Sequence, residues 1–224
     1  GKSTLFNQLT VSEVFAEDML FATLDPTMRG LILPSGRKVI LSDTVGFVSD
    51  LPHDLVAAFR ATLEEVLEAD LIVHVRDASS PETEEQKLDV LEVLKELGLQ
   101  KAIDGEELVE ALNKIDQLEG DDLQAVLEYA TRHDNTIAIS AYKGTNCESL
   151  LDLIEDRLTE DMPIFELCVP YADGKSLARL YEQGEVLKRS EGADGISVQV
   201  RVDTTRVGRF EDWCAKVGLD IHLV

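Results

Sequence analysis

The sequence predicts an α/β protein, in which a mostly parallel sheet flanked by helices precedes a small α+β domain. Short apolar runs alternate with helical stripes over residues 1–161, and this alternation is typical of parallel strands joined by helices. After Met162-Pro163 the pattern becomes β-α-β-β-α-β, which suits a ferredoxin-like domain. We therefore expect a first domain over residues 1–161 and a second over residues 162–224.

The elements of the first domain follow from apolar spacing and turn residues. Ser35-Gly36 predicts the turn of a β-hairpin. Residues 108–112 fit either a strand or a helix, and we assign a strand because Asn113 should lie at the carboxyl end of one. The other predicted elements are a helix opening at Leu5, hairpin strands at 30–34 and 38–42, a helix over 53–69, a strand over 71–75, a helix over 81–97 with Leu88, Leu91, Val93 and Leu94 as core positions, a helix over 120–133, a strand over 136–140 and a helix over 146–159.

The elements of the shorter second domain are also predicted from the spacing of apolar residues. Phe210 and Trp213 share one helical face and are expected to pack in its core. Its predicted elements are strand 164–169, helix 174–183, strands 185–190 and 195–202, helix 206–216 and a final strand over 221–224.

The composition excludes several classes of protein. A net charge of −23 should repel nucleic acid unless a local basic patch or another segment supplies the attraction. No apolar run approaches the ~18 residues of a membrane span, so we expect none. Three widely spaced cysteines argue against a disulfide framework or a zinc site, and favour a reducing cytoplasm.

The first four residues, Gly1-Lys2-Ser3-Thr4, match the end of a phosphate-binding loop, G-x-x-x-x-G-K-[ST]. In such a loop backbone N–H groups surround the phosphates, the lysine reaches the β and γ oxygens, and the hydroxyl binds Mg²⁺. The helix that follows would point its N-terminus at the anion. The strand and glycine loop expected before Gly1 are not in the sequence, so we interpret the chain as a fragment of a P-loop NTPase-type domain.

A second phosphate signal follows the predicted hairpin. Asp43 would hold Mg²⁺ through a water molecule, and the Gly46 amide would donate to the γ-phosphate. Thr23 is the candidate for a second hydroxyl on Mg²⁺, ordered only when the γ-phosphate is present, and Thr27 competes for that role.

The tetrapeptide at 113–116, Asn-Lys-Ile-Asp, predicts the base. A carboxylate at Asp116 can accept hydrogen bonds from the ring N–H and the exocyclic amine of guanine, whereas adenine would leave it unpaired. Asn113 can brace neighbouring loops, and the stem of Lys114 can lie over the purine. Ser140-Ala141-Tyr142 follows a strand where a backbone N–H could approach guanine O6. An ATPase would conflict with Asp116.

The residue after Gly46 bears on the rate of hydrolysis. Many Ras-like GTPases carry a glutamine there that orients the attacking water. Phe47 has no hydrogen-bonding group. We therefore predict slow intrinsic hydrolysis, with the water positioned by another side chain, the backbone or a partner.

Together these segments resemble the HflX family of bacterial-type GTPases. The family-specific parts are Phe-Ala-Thr-Leu-Asp-Pro-Thr at 21–27 and Asp-Thr-Val-Gly-Phe at 43–47, and Pro-Tyr-Ala-Asp-Gly at 170–174 resembles the family's C-terminal domain. The resemblance implies that Ser3 and Thr23 bind Mg²⁺ together with Asp43. It also fits catalytic roles for Lys2, Thr23 and Gly46. The residues expected around GTP or GDP are Gly1, Lys2, Ser3, Thr4, Phe21, Ala22, Thr23, Leu24, Asp25, Asp43, Thr44, Val45, Gly46, Asn113, Lys114, Ile115, Asp116, Ser140, Ala141 and Tyr142.

The resemblance also implies a role. Members bind the large ribosomal subunit and are implicated in splitting or rescuing stalled ribosomes, so we expect a cytoplasmic, monomeric GTP hydrolase whose ribosome contacts come from a region ahead of Gly1. The alternative is a nucleotide-gated binding or assembly factor with negligible hydrolysis. Glu110, within the strand leading to Asn113, departs from the family pattern.

Overall fold

The computed structural model describes residues 1–10, 27–44, 66–105 and 107–224. These residues form two compact units, Gly1–Leu158 and Thr159–Val224. The domain boundary expected after residue 161 stays a prediction, and most of the helix predicted over 53–69 lies outside the described residues.

The N-terminal unit begins with helix α1 (Lys2–Thr10) and the antiparallel strands β1 (Thr27–Ile32) and β2 (Lys38–Asp43). The turn between the strands is closed by a hydrogen bond from Gly36 N to Leu33 O (2.8 Å), and Gly36 has a φ of 90°, which glycine adopts without strain. The predicted hairpin is confirmed.

A parallel sheet of three strands follows, in the order β3-β4-β5. One face packs on α1 and on the last helix of the unit through Leu5, Leu150 and Ile154, and the other face packs on the helix before β5 through Leu112. Its elements are β3 (Ile72–Asp77), α2 (Thr83–Glu96), α3 (Gln100–Asp104), β4 (Leu108–Asn113), α4 (Gly120–Arg132), β5 (Thr136–Ala138) and α5 (Cys147–Thr159). The α/β class is confirmed, and residues 108–112 are strand.

Two details differ from the sequence prediction. Leu88, expected in the core, is 66% exposed, whereas Leu94 is buried as predicted. The reason is that Lys87 occupies the inward position, where its ammonium meets the buried carboxylate of Glu110 at 2.8 Å. The strand predicted over 136–140 ends at Ala138, because Ser140 instead pairs with Thr145 in a local bridge.

The C-terminal unit contains β6 (Ile164–Val169), α6 (Gly174–Gln183), β7 (Glu185–Glu191), β8 (Ile196–Arg201), α7 (Val207–Val217) and β9 (Ile221–Leu223). All its strand pairs are antiparallel, in the order β7-β8-β6-β9. Strand β8 alternates buried and half-buried residues, so one face of the sheet forms the core with the helices. Phe210 and Trp213 are buried in that core, as predicted.

Among the helices of the described residues, none has both the length and the apolar character that crossing a membrane requires.

Candidate functional site

The first part of the site lies where α1 begins. Ser3 Oγ donates a 2.6 Å hydrogen bond to Oδ2 of Asp43, which is the last residue of β2 and is buried. The hairpin therefore brings a carboxylate to a helix N-terminus, where anions are favoured. A hydroxyl beside a carboxylate supplies only oxygen ligands, which Mg²⁺ prefers, so these residues fit that ion.

Lys2 lies next to this pair. Burial lowers the pKa of its ammonium, and the charge of Asp43 opposes that shift. A partly desolvated ammonium gains free energy when another anion approaches it. The position therefore suits a lysine that contacts phosphate.

The second part of the site lies at the tip of β4. Asn113 Oδ1 accepts hydrogen bonds from Lys114 N (2.8 Å) and from Ala141 N (2.9 Å). Lys114 has a left-handed φ of 70°, and the chain then makes a 3₁₀ turn. Ser140 Oγ donates to Asp116 Oδ1 at 2.5 Å. One asparagine side chain and one serine hydroxyl thus join the two loops that carry the predicted base-recognition residues.

The two parts meet at Gly1. A Cβ added there would lie 3.6 Å from Asn113 Nδ2, so the start of the phosphate segment lies beside the asparagine that joins the two loops of the base segment. The loop after β5 also touches α1, because a Cβ added at Gly144 would lie 2.9 Å from Gln8 Nε2. Asp43, at the end of β2, and Asp116, in the turn after β4, therefore lie at the same edge of the N-terminal unit.

An acidic residue that sequence reasoning missed belongs to this edge. Asp77 ends β3 opposite Asn113 in the strand register, and its Oδ2 lies 2.8 Å from Lys114 Nζ. Burial raises the pKa of Asp77, but hydrogen bonds from Lys114 and Ser79 outweigh it, so the pKa lies below its usual value. The Lys114 stem is consequently held at both ends. Its place at a strand tip was the signal that could have identified Asp77.

The remaining predicted residues differ in placement. Ile115 and Ala141 are buried, and Thr4 and Thr44 are half-buried. Tyr142 is 81% exposed, so its side chain does not line the edge formed by the other residues. The predicted residues that lie outside the described ranges are Phe21, Ala22, Thr23, Leu24, Asp25, Val45, Gly46 and Phe47.

Glu110, which departs from the family pattern, forms a buried ion-pair network behind the tip of β4. Its Oε1 lies 3.0 Å from Arg76 Nη1 and 2.8 Å from Lys87 Nζ, and Arg76 also pairs with Glu84 at 2.5 Å. Burial raises the pKa of Glu110, but Lys87 and Arg76 outweigh it, so the pKa is lowered. The network joins β3, β4 and α2, and it explains structurally why a carboxylate is buried at position 110.

His74 shares this face of the sheet. Burial lowers its pKa to about 4, although the charge of Glu110 favours the protonated form. Its Nδ1 has no hydrogen-bond partner in the described part of the chain. The imidazole is therefore neutral at pH 7.

Comparison with known proteins identifies the class. A family model described as a 50S ribosome-binding GTPase matches residues 1–114, and the HflX C-terminal domain matches residues 125–212, beginning inside the N-terminal unit. The fold and the matched residues define a GTP-binding protein of the P-loop class. More narrowly, the chain belongs to the HflX family of GTPases, as its sequence resemblance indicated.

Curated relatives agree with that assignment. GTPase HflX of Magnetococcus marinus is 42% identical over 222 residues, which cover 99% of this chain and 50% of the relative. GTPase HflX of Caldanaerobacter subterraneus is 44% identical over 90% of this chain and 44% of the relative, and that of Escherichia coli is 39% identical over 90% and 46%. The chain spans about half the length of the curated relatives it matches.

Solved structures agree on the fold. A mutation variant of SsGBP aligns with a TM-score of 0.54 and 31% identity, covering 71% of this chain and 52% of that one. Era in complex with MgGDPNP and a segment of 16S ribosomal RNA aligns with a TM-score of 0.52 and 25% identity, covering 69% and 51%.

Proposed function

We propose that the protein hydrolyses GTP to GDP and phosphate, and that its nucleotide state controls association with the large ribosomal subunit. The observation that carries this proposal is the proximity of Gly1 to the Asn113 side chain, because it brings the phosphate segment beside the segment expected to bind guanine. Family membership supports the reaction, and the description of the matched family as 50S ribosome-binding GTPases supports the partner. Splitting or rescue of stalled ribosomes is the finer role that we propose.

Guanine recognition in this proposal depends on Asp116. Its Oδ1 is held by Ser140, which leaves Oδ2 to accept from the base. Removing that hydrogen-bond partner from a buried site costs selectivity by orders of magnitude. The Asn113 side chain holds the two loops expected to bind guanine together, and the Lys114 side chain extends from the end of β4 to Asp77 at the end of β3.

The phosphates would lie at the other end. Lys2 would contact the β and γ oxygens, and Ser3 and Asp43 would hold Mg²⁺. When bound, Mg²⁺ neutralises charge that develops on the phosphates. From their motifs we assign Thr23 to Mg²⁺, ordered when the γ-phosphate is bound, and Gly46 to the γ-phosphate itself. Phe47 supplies no group that could orient water, so we expect slow turnover until a partner or another residue supplies one.

The test of guanine recognition is Asp116→Asn in the full-length protein. We expect GDP affinity to fall by about 100-fold or more, with xanthine nucleotides gaining affinity, because an amide matches xanthine O2 where the carboxylate matched the guanine amine. Asp122→Asn, on the exposed first turn of α4, makes the same chemical change away from the site and is the matched control. Unchanged guanine selectivity in Asp116→Asn would contradict the proposal.

The alternative, a nucleotide-gated binding factor that barely hydrolyses GTP, is favoured by Phe47. Multiple-turnover hydrolysis measured with and without purified large subunits separates the two. Stimulation by the subunit supports the hydrolase, whereas nucleotide-dependent binding without turnover supports the alternative. Fast turnover in the absence of any partner would refute the predicted slow intrinsic rate.

A further inference from the structure

A groove of about 580 Å³ lies between α6 and α7 of the C-terminal unit. Four exposed cations line it: Arg179 from α6, Arg206 just before α7, and Arg209 and Lys216 from α7. Within the described ranges, none of the four makes an ion pair with a carboxylate. Their charges are therefore available to a ligand.

The positions of these cations follow from helix geometry. Arg209, Trp213 and Lys216 stand at i, i+4 and i+7, which places them on one face of α7. The Trp213 ring is buried, and the Arg179 guanidinium lies 5.4 Å from the ring centroid. Such stacking holds the guanidinium in place and leaves its edge N–H groups free to donate.

This groove is a local exception in an acidic protein. The whole chain has a net charge of −23, and the C-terminal unit has eight Lys and Arg residues against twelve Asp and Glu. Half of the eight cations line this one groove. An acidic chain can bind a polyanion only where cations are concentrated in this way.

We propose that the groove between α6 and α7 binds the phosphate backbone of RNA. Three guanidinium groups offer the paired donors that phosphate oxygens accept in bidentate fashion. Two carboxylates, Glu182 and Asp212, also line the groove and can accept hydrogen bonds from 2′-hydroxyl and base amino groups. An acidic peptide fits less well, because its carboxylate side chains are acceptors only and offer no donor to Glu182 and Asp212, whereas the hydroxyl and amino groups of RNA do.

The inference rests on the proposed function in one respect: a protein that associates with the large ribosomal subunit meets RNA as its principal polyanion. It adds a location, since it assigns an RNA contact to two helices of the C-terminal unit. The salt dependence of binding should show the electrostatic contribution of those contacts.

The test uses the full-length protein and a fluorescein-labelled RNA hairpin with a single-stranded tail, measured by anisotropy. Arg179→Gln with Arg209→Gln should weaken RNA binding by about tenfold or more, because hydrogen bonds to charged groups are lost. The slope of log affinity against log salt should become shallower by about 1.4, at about 0.7 per phosphate contact on a single strand. Lys188→Gln with Arg189→Gln removes the same charge from exposed positions on β7 and should change neither quantity by as much.

Three results would overturn the inference: no RNA binding by the unmutated protein, equal losses in the two double variants, or competition by polyglutamate as effective as that by unlabelled RNA. Arg206→Gln with Lys216→Gln, which leaves the Arg179–Trp213 contact intact, repeats the test if the first variant unfolds. Co-sedimentation with large subunits keeps the two proposals apart. Subunit binding together with unchanged RNA affinity in both groove variants refutes the groove alone, whereas no subunit binding by the unmutated protein refutes the proposed function.

Discussion

The buried carboxylate of Glu110 makes a quantitative prediction about the N-terminal unit. Replacing Glu110 with alanine leaves Arg76 and Lys87 without their shared partner, and the Arg76 and Lys87 side chains are only 3% and 22% exposed. Arg76 would keep its ion pair with Glu84, but the Glu84 side chain is 74% exposed, so solvent screens this pair and it contributes little. Breaking a buried pair costs about 3–5 kcal/mol, and we expect about 3 kcal/mol because part of the network remains.

Urea denaturation followed by circular dichroism measures this change. For a unit of this size, about 3 kcal/mol corresponds to a fall of roughly 6–12 °C in Tm. Glu128→Ala is the matched control, since Glu128 pairs with Arg132 at 3.1 Å on an exposed helix face and should cost less than about 0.5 kcal/mol. A Glu110→Ala loss no larger than that of Glu128→Ala would refute the network as a source of stability.

Three further predictions concern the same unit. His74→Gln should make the free energy of unfolding fall less steeply as the pH is lowered. The pKa of His74 is about 4 in the folded protein and about 6.5 in the unfolded chain, so between these values the unfolded chain binds more protons. The wild type therefore loses about 3 kcal/mol of stability as the pH falls from 6.5 to 4. Parallel curves for the two proteins would contradict this. Asp77→Asn should weaken GDP binding, measured by calorimetry, without changing the preference for guanine, because it releases the Lys114 ammonium but leaves the base contacts. Gly144→Ala should lower the free energy of unfolding, measured by urea denaturation, by about 1–2 kcal/mol, because the φ of Gly144 is +73° and the new Cβ would meet the Gln8 side chain. Adding Gln8→Ala should restore only the share of this loss that comes from the contact with Gln8, and not the share that comes from the backbone strain.

Local patterns were sufficient for much of the fold. The hairpin around Ser35-Gly36 depends on turn chemistry between neighbouring residues, and its strands lie within a few residues of the predicted bounds. The helix Gly174–Gln183 matches its prediction because the sequence carries both an apolar stripe and a side-chain cap, with Asp173 accepting from Ser176 N. Residues 108–112 were decided by the functional expectation for Asn113 rather than by their own periodicity.

Other features depend on residues far apart in the chain. Helical spacing alone could not show that Lys87 faces inward in place of Leu88, because the cause is Glu110 on a different strand. Asp77 received no role from the sequence alone, because it is the parallel register that places this residue opposite Asn113. The short helix Gln100–Asp104 has too few residues to show a periodic signal. Sequence motifs identified the candidate ligand contacts, whereas the side chains that hold them in place became visible only in three dimensions.

The shared hydrogen bonds of Asn113 have a consequence for how a diphosphate and a triphosphate are told apart. Because one amide oxygen holds both loops that we propose to bind guanine, and the amide nitrogen lies beside Gly1, we expect the nucleobase end to keep one geometry whichever nucleotide is bound. We expect discrimination to fall to the opposite end, where the hydrogen bond between Ser3 and Asp43 joins the end of the hairpin to the start of the first helix. Under the proposed function, nucleotide identity and nucleotide state would be recognised by separate structural elements, so we expect that a substitution can impair one while sparing the other.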